Sequence, residues 1–137
     1  GTALLMITHN LGIVAEACDR MAVMYAGRVA EDGDVKSVFA NPAHPYTREL
    51  LHSTISLSTR ALSHIPGSPP NLVTPPEGCR FHPRCPDAMQ VCTQKVPVAT
   101  YPRPGQRVAC WRHGPDDRIP PGSKEPLQQE FDHVDEA

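Results

Sequence analysis

The sequence predicts an α/β fold: residues 1–40 finish a sheet-and-helix core, 41–64 form a helical connector, 65–122 an irregular cysteine-containing extension, and 123–137 an acidic tail. Three observations predict it. Residues 3–7 are a short, unbroken apolar run, of the kind that fills a strand buried on both faces of a parallel sheet. A helical repeat and then two short apolar strands follow at once. From Ile65 onward both periodicities stop, prolines take over, and four cysteines fall within 32 residues.

Taken in order, Ala3 to Ile7 is the expected strand, and Thr8-His9-Asn10 breaks it with polar side chains. Asn10 is a suitable N-cap for the next segment. There Leu11, Val14, Ala15 and Cys18 recur at helical spacing, with Glu16, Asp19 and Arg20 between them. Met21–Tyr25 and Arg28–Asp32, joined by Ala26-Gly27, read as a hairpin. Asp34 can cap a short helix over Val35–Ala40, which Asn41-Pro42 ends. Pro45 suits the first turn of a further helix reaching about Ser53, with Tyr46, Leu50 and Leu51 on one face. A chain opening at Gly1-Thr2 straight into a buried type of strand leads us to expect a preceding segment. An isolated edge of such a sheet would expose its apolar strands.

The second half is poor in core-forming residues. The chain has 16 prolines, 13 of them between Pro66 and Pro121, and only 5% aromatic residues. Such a segment buries little apolar surface, so something other than a hydrophobic core is expected to order it. Residues 123–137 carry five acids and one lysine, the composition of a solvated, disordered tail. A net charge of -2 gives no bulk attraction to nucleic acid or anionic lipid. No apolar run approaches the roughly 20 residues that cross a bilayer, and no secretory leader opens the chain.

Four of the five cysteines follow the pattern Cys79-x5-Cys85-x6-Cys92-x17-Cys110. Without an export signal, metal ligation is favoured over disulfides. The spacing matches neither the paired cysteines of zinc ribbons nor a ferredoxin run, so it does not name the metal. Ligation would supply the folding free energy that apolar burial cannot. Residues 78–113 hold six Lys/Arg against one acid, Asp87. Arginines beside the sulfurs would offset the charge of four thiolates and lower their pKa values. Free or redox-paired thiols remain an alternative, as does a metal-stapled basic module for a protein or nucleic acid, with Phe81, Tyr101 and Trp111 as stacking rings. His82 and His113 flank the cysteines and could replace one as a ligand.

His9 stands where a buried strand gives way to a helix, the end of an α/β sheet at which ligands bind. A histidine there can meet a phosphate oxygen or orient a water in phosphoryl transfer. No G-x-x-x-x-G-K-[ST] phosphate loop occurs in these residues. No Ser/His/Asp set or paired carboxylates suggest a stand-alone enzyme.

The run Leu4-Leu5-Met6-Ile7-Thr8-His9-Asn10-Leu11-Gly12 resembles the switch-histidine segment of ABC transporter ATPases, and Ala17 to Gly33 resembles the strand pair that closes that domain. His44-Pro45-Tyr46-Thr47-Arg48-Glu49-Leu50-Leu51 is similar to the element that marks the oligopeptide/dipeptide importer branch. Gly78-Cys79-Arg80-Phe81-His82-Pro83-Arg84-Cys85-Pro86, with Cys92 and Ala109-Cys110-Trp111, resembles that branch's C-terminal extension. The resemblance spans about residues 2–112.

It implies the C-terminal fragment of an ATP-binding subunit that powers peptide import from the cytoplasmic face of the membrane. His9 would be the switch histidine, contacting the γ-phosphate of Mg-ATP in the full-length subunit. Cys79, Cys85, Cys92 and Cys110 would hold a [4Fe–4S] cluster, with zinc as the alternative. The partners implied are two permease subunits, a second ATPase subunit and, indirectly, an extracytoplasmic peptide-binding protein, with no nucleic acid. The Walker A, Walker B and signature elements are not in this sequence, so no ATP hydrolysis is expected of it alone.

Overall fold

The computed structural model describes residues 1–55, 65–114, 119 and 122–128. Among them, α1 (Leu11–Ala17) leads into a hairpin, β1 (Arg20–Tyr25) and β2 (Arg28–Asp34), followed by α2 (Val35–Ala40) and α3 (Pro45–Ile55). The extension contributes α4 (Gln90–Gln94), β3 (Thr100–Arg103) and β4 (Gln106–Val108), with 3-10 turns at His82–Arg84 and Trp111–His113. One four-stranded sheet results, in the order β1-β2-β4-β3, and every pairing is antiparallel.

The local signals explain most of these elements. The Asn10 side chain accepts from the amides of Gly12 and Ile13 at 3.0 and 3.3 Å, so α1 begins at its cap. Asp34 does the same for α2, accepting from the Ser37 amide at 3.0 Å. Ala26 and Gly27 both take positive φ, 48° and 79°, as a two-residue hairpin turn requires. The β1–β2 register shifts once, between Val23 and Met24, at a bulge.

Residues 3–7 correct the first expectation. They form no strand, and Leu5 and Ile7 are 89% and 95% exposed. A strand buried on both faces needs a neighbour on each side, and none of the described residues supplies one.

The extension corrects a second. It is not core-free: β4 pairs with β2 through Glu31 opposite Val108 and Asp32 opposite Arg107. The Ala109 amide donates to the Ala30 carbonyl at 2.9 Å, and Arg107 Nε reaches Asp32 at 2.6 Å. Tyr25, Ala30, Phe81, Cys85 and Ala88 form one buried cluster; Val91, Cys92, Trp111 and Ile119 form another. Cys79 packs against both. Tyr25, Tyr46 and Phe81 meet ring to ring at centroid distances of 4.6–5.4 Å, so three aromatics concentrate the apolar burial that composition made scarce.

The tail differs too. Residues 123–127 lie against α4, the Val91 amide donating to the Ser123 carbonyl at 3.0 Å and the Leu127 amide to that of Ala88 at 2.9 Å. The end of the expected connector, 56–64, and the tail from 129 on lie outside the described residues.

One buried carboxylate ties the layers together. Glu31, fully buried on β2, accepts from the amides of Ala43 and His44 at 2.8 and 2.9 Å and from the Gln106 side chain at 2.6 Å. It therefore joins the sheet, the entry to α3 and the extension. A carboxylate at the start of α3 also meets the positive end of that helix.

His44 is buried beside it. Burial, and then the charge of nearby His113, lower its pKa to about 4. Its Nδ1 accepts from the Tyr46 amide at 3.0 Å, which only an unprotonated Nδ1 can do. The unfolded chain binds this proton more readily than the folded one. The stabilisation is therefore complete above pH 6.5 and is lost as the pH falls from there through about 4. The loss is expected to reach about 3 kcal/mol. Urea unfolding of the chain and of a His44→Gln variant across that range checks it, the variant showing the flatter dependence.

Candidate metal centre

Cys79, Cys85, Cys92 and Cys110 are all unbridged thiols; Cys85 belongs to one buried cluster, Cys92 to the other, and Cys79 packs against both. The 3-10 turn at His82–Arg84 places Cys85 a short step from Cys79. The Cys79 amide donates to the Cys92 carbonyl at 2.8 Å, fastening the first loop to α4. Cys110 arrives at the end of β4, just before the turn that carries Trp111. Trp111 Nε1 donates to the Lys95 carbonyl at 2.8 Å and so locks that turn onto the end of α4.

Burial raises all four thiol pKa values: to about 11 for Cys79, to about 12 for Cys85 and Cys110, and upward for Cys92. Opposing that shift, nearby backbone N–H groups favour the charged form: those of Phe81 and His82 for Cys79, Asp87 for Cys85, Met89 for Cys92 and Arg112 for Cys110. The Met89 amide stands 3.4 Å from the Cys92 sulfur. A charge on Cys92 acts on Cys79 and Cys110, one on Cys79 acts on Cys85 and Cys110, and one on Cys110 acts on Cys85.

Among the described residues, no three His, Cys, Asp or Glu side chains stand close enough to hold one metal ion. The donor set is nevertheless suited to a soft thiolate-bound group. Neutral thiols in an apolar core have little use for N–H donors, whereas metal-bound sulfurs are oriented and tuned by them.

The arginines do not ring the sulfurs as the charge pattern suggested. Arg84 donates to the Pro66 and Ile65 carbonyls at 2.7 and 2.9 Å, Arg80 to the Ala26 carbonyl, and Arg103 to that of Asn41 at 3.3 Å. Arg48 and Arg112 hold Asp87, the former at 2.7 Å, and keep its carboxyl below the usual range although burial opposes them. Arg28 and Arg112 are the cations whose charge acts on Cys79 and Cys110. Basic side chains here clamp backbone carbonyls and acids, which sequence spacing cannot distinguish from charge compensation. Phe81 and Trp111 are buried, so of the three rings considered for stacking only Tyr101 faces solvent.

His82 and His113 are directed elsewhere. His82 Nδ1 lies 2.9 Å from the Cys79 carbonyl, and His113 Nε2 lies 3.0 Å from that of Ala43. His9 is exposed, immediately ahead of the Asn10 cap. Cys18, the C-cap of α1, is half-buried. Sequence reasoning missed Glu31 and Gln106. Alternation along β2 was the available signal, but an acid in a short strand reads as a solvent-facing residue.

The histidine at the entry to α1 and the cysteine-bearing extension built onto a closing hairpin are the features in which the sequence resembles the peptide-importer branch of ABC ATP-binding proteins. Residues 30–92 match the family described as oligopeptide/dipeptide transporter, C-terminal region. The match runs from β2 through α3 to α4 and includes three of the four cysteines.

The chain is 49% identical over 115 residues to the probable peptide ABC transporter ATP-binding protein y4tR of Sinorhizobium fredii, covering 82% of this chain and 34% of that protein. It is 46% identical over 113 residues to the oligopeptide transport ATP-binding protein OppD of Salmonella typhimurium, covering 81% and 33%. It is 46% identical over 111 residues to the dipeptide transport ATP-binding protein DppD of Bacillus subtilis, covering 80% and 33%. The chain thus spans about a third of the length of these relatives.

Proposed function

We propose that this chain is the C-terminal region of an ATP-hydrolysing subunit that drives peptide import across the cytoplasmic membrane, and that its four clustered thiols hold an iron–sulfur cluster. The alignment with peptide-transport ATP-binding proteins over about four fifths of the chain supports the first part. The four unbridged thiols, with Cys79 packed against both buried clusters that hold Cys85 and Cys92 and the Met89 amide 3.4 Å from the Cys92 sulfur, support the second.

His9, exposed at the entry to α1, contacts the γ-phosphate of Mg-ATP in the complete subunit, where a second ATPase subunit closes over the nucleotide. That closure gates two permease subunits, and a peptide-binding protein delivers cargo on the far side. Among the described residues no helix is long and apolar enough to cross a membrane, which suits a peripheral subunit on the cytoplasmic face.

The resemblance to the importer branch's C-terminal extension is what favours a [4Fe–4S] cluster over zinc as the group these thiols would hold. When bound, the cluster supplies a covalent staple between the two buried groups of side chains. The chain's own residues place the sulfurs, exclude water through Phe81, Val91 and Trp111, and aim amides at them.

Uptake of a labelled tripeptide by cells carrying His9→Ala in the full-length subunit tests the transport reading. Uptake is expected to fall by about 100-fold, the scale of losing one preorganised donor to a transition-state charge. Amino-acid uptake should be unchanged. Undiminished tripeptide uptake would contradict the assignment.

A further inference from the structure

We propose that a cavity on one face of the sheet is a binding site for a small aliphatic monocarboxylate, with Arg107 as the residue that receives the carboxylate. The site uses neither the four thiols nor His9, and it stands apart from the function proposed for them.

Strand pairing builds it. Asp32 on β2 lies opposite Arg107 on β4, and the Ala109 amide donates to the Ala30 carbonyl at 2.9 Å. Side chains alternate along a strand, so Ala30 and Asp32 share a face with Arg107 and Ala109, away from Glu31, Gln106 and Val108. Ala30 is buried, Arg107 and Ala109 are half-buried, and Ala99 is exposed, so a recess runs from the packed part of this face to its solvent edge. With Val29 they line a cavity of about 190 Å³. An engineered void of about 150 Å³ already holds benzene, so this one suits a ligand of about six to eight non-hydrogen atoms.

The two ends of the cavity differ in chemistry. Val29, Ala30, Ala99 and Ala109 make one end apolar. At the other, Arg107 gives its Nε to Asp32 at 2.6 Å, which fixes the plane of the guanidinium. The two terminal nitrogens of Arg107 have no partner among the described residues, so a preoriented pair of donors remains. Arg20 also reaches Asp32, at 3.6 Å. Two guanidiniums thus share one carboxylate, and the surplus positive charge favours an anion. A guanidinium fork takes a carboxylate through two parallel N–H···O bonds. A second carboxylate on the ligand would meet Asp32 and be repelled. The Arg107 side chain is 43% exposed, so water competes for its donors and the apolar end must contribute to affinity. A short aliphatic chain with a single carboxylate satisfies both ends. A free branched-chain acid and the C-terminal residue of a peptide present this same chemistry.

Titration of the 137-residue chain with isovalerate, followed by the NMR shifts of its backbone amides, tests the site. Saturable shifts are expected, confined to residues 29–32, 99 and 107–109. Isovaleramide has the same shape without the charge and should bind at least about tenfold more weakly, the effect of losing charged hydrogen bonds. Arg107→Lys keeps the charge but loses the fork, and should weaken isovalerate binding by a similar factor. Ala99→Leu fills the recess from an exposed position, spares the core, and should abolish binding. The same spectra report whether each variant is folded. Glycylglycylvaline separates the two sources. Saturation at lower concentration than isovalerate assigns the site to peptide carboxyl termini, and the reverse order assigns it to free acids. Shifts that do not saturate, equal binding of isovaleramide, or native binding by either folded variant would overturn the proposal.

Discussion

Replacing Gly78 with alanine is expected to unfold the extension, at a cost of about 4 kcal/mol, the upper end of single-substitution effects. Gly78 has φ of 65°, which a side chain tolerates poorly. A Cβ there would sit 2.3 Å from the Cys92 carbonyl oxygen and 2.9 Å from the Thr93 carbonyl carbon. Neither neighbour can swing aside, because both belong to the backbone of α4. Relief would have to separate the Cys79 loop from that helix, breaking the bond between the Cys79 amide and the Cys92 carbonyl. Gly105 provides the control. Its φ is 73°, but a Cβ would meet nothing within 4 Å. Gly105→Ala should therefore cost only the backbone strain, about 1 kcal/mol. Urea unfolding of both variants decides the matter; comparable midpoints would show that the loop does not press on α4 as described.

The isosteric change Glu31→Gln is expected to cost about 3 kcal/mol, since hydrogen bonds to a buried charged group are each stronger than neutral ones. One carboxylate oxygen accepts from the Ala43 amide and the Gln106 side chain, and the other from the His44 amide. Whichever way a glutamine turns, its NH₂ faces a donor and leaves buried groups unpaired. The effect should spread beyond β2, because this carboxylate also holds the approach to α3. Loss of helical circular dichroism together with the shift in urea midpoint would report that coupling. A shift below about 0.5 kcal/mol, the scale of an ordinary surface change, would show that the network contributes little.

Short-range signals carried the first half of the chain. Asn10 and Asp34 cap the helices they were expected to cap, Ala26-Gly27 makes the expected turn, and Pro45 opens α3. These features depend on residues a few positions apart, so the sequence displays them directly. The extension was illegible for the opposite reason. β4 is only three residues long and gains its identity by pairing with β2, some 75 residues earlier. No periodicity accumulates over so short a strand. Proline and low aromatic content suggested that no core could form, yet Tyr25 and Tyr46 from the first half close over Phe81 from the second. The apolar run at residues 3–7 failed in the other direction, because strand character requires neighbours that the described residues do not contain. The four cysteines stand out in the sequence as a group, although no three His, Cys, Asp or Glu side chains of the described residues stand close enough to hold one metal ion. What their spacing could not show was which charges surround them, since the nearby arginines hold carbonyls and carboxylates instead.

The central claim is that Cys79, Cys85, Cys92 and Cys110 share one polynuclear centre, which staples a sheet-docked extension to the end of the ATPase. Iron, sulfide and zinc analysis of the chain purified without oxygen tests it most directly. The account predicts about four irons and about four sulfides per chain, the content of one cubane, and loss of most of both in Cys85→Ser. One zinc per chain with no sulfide, or no bound metal at all, would contradict it.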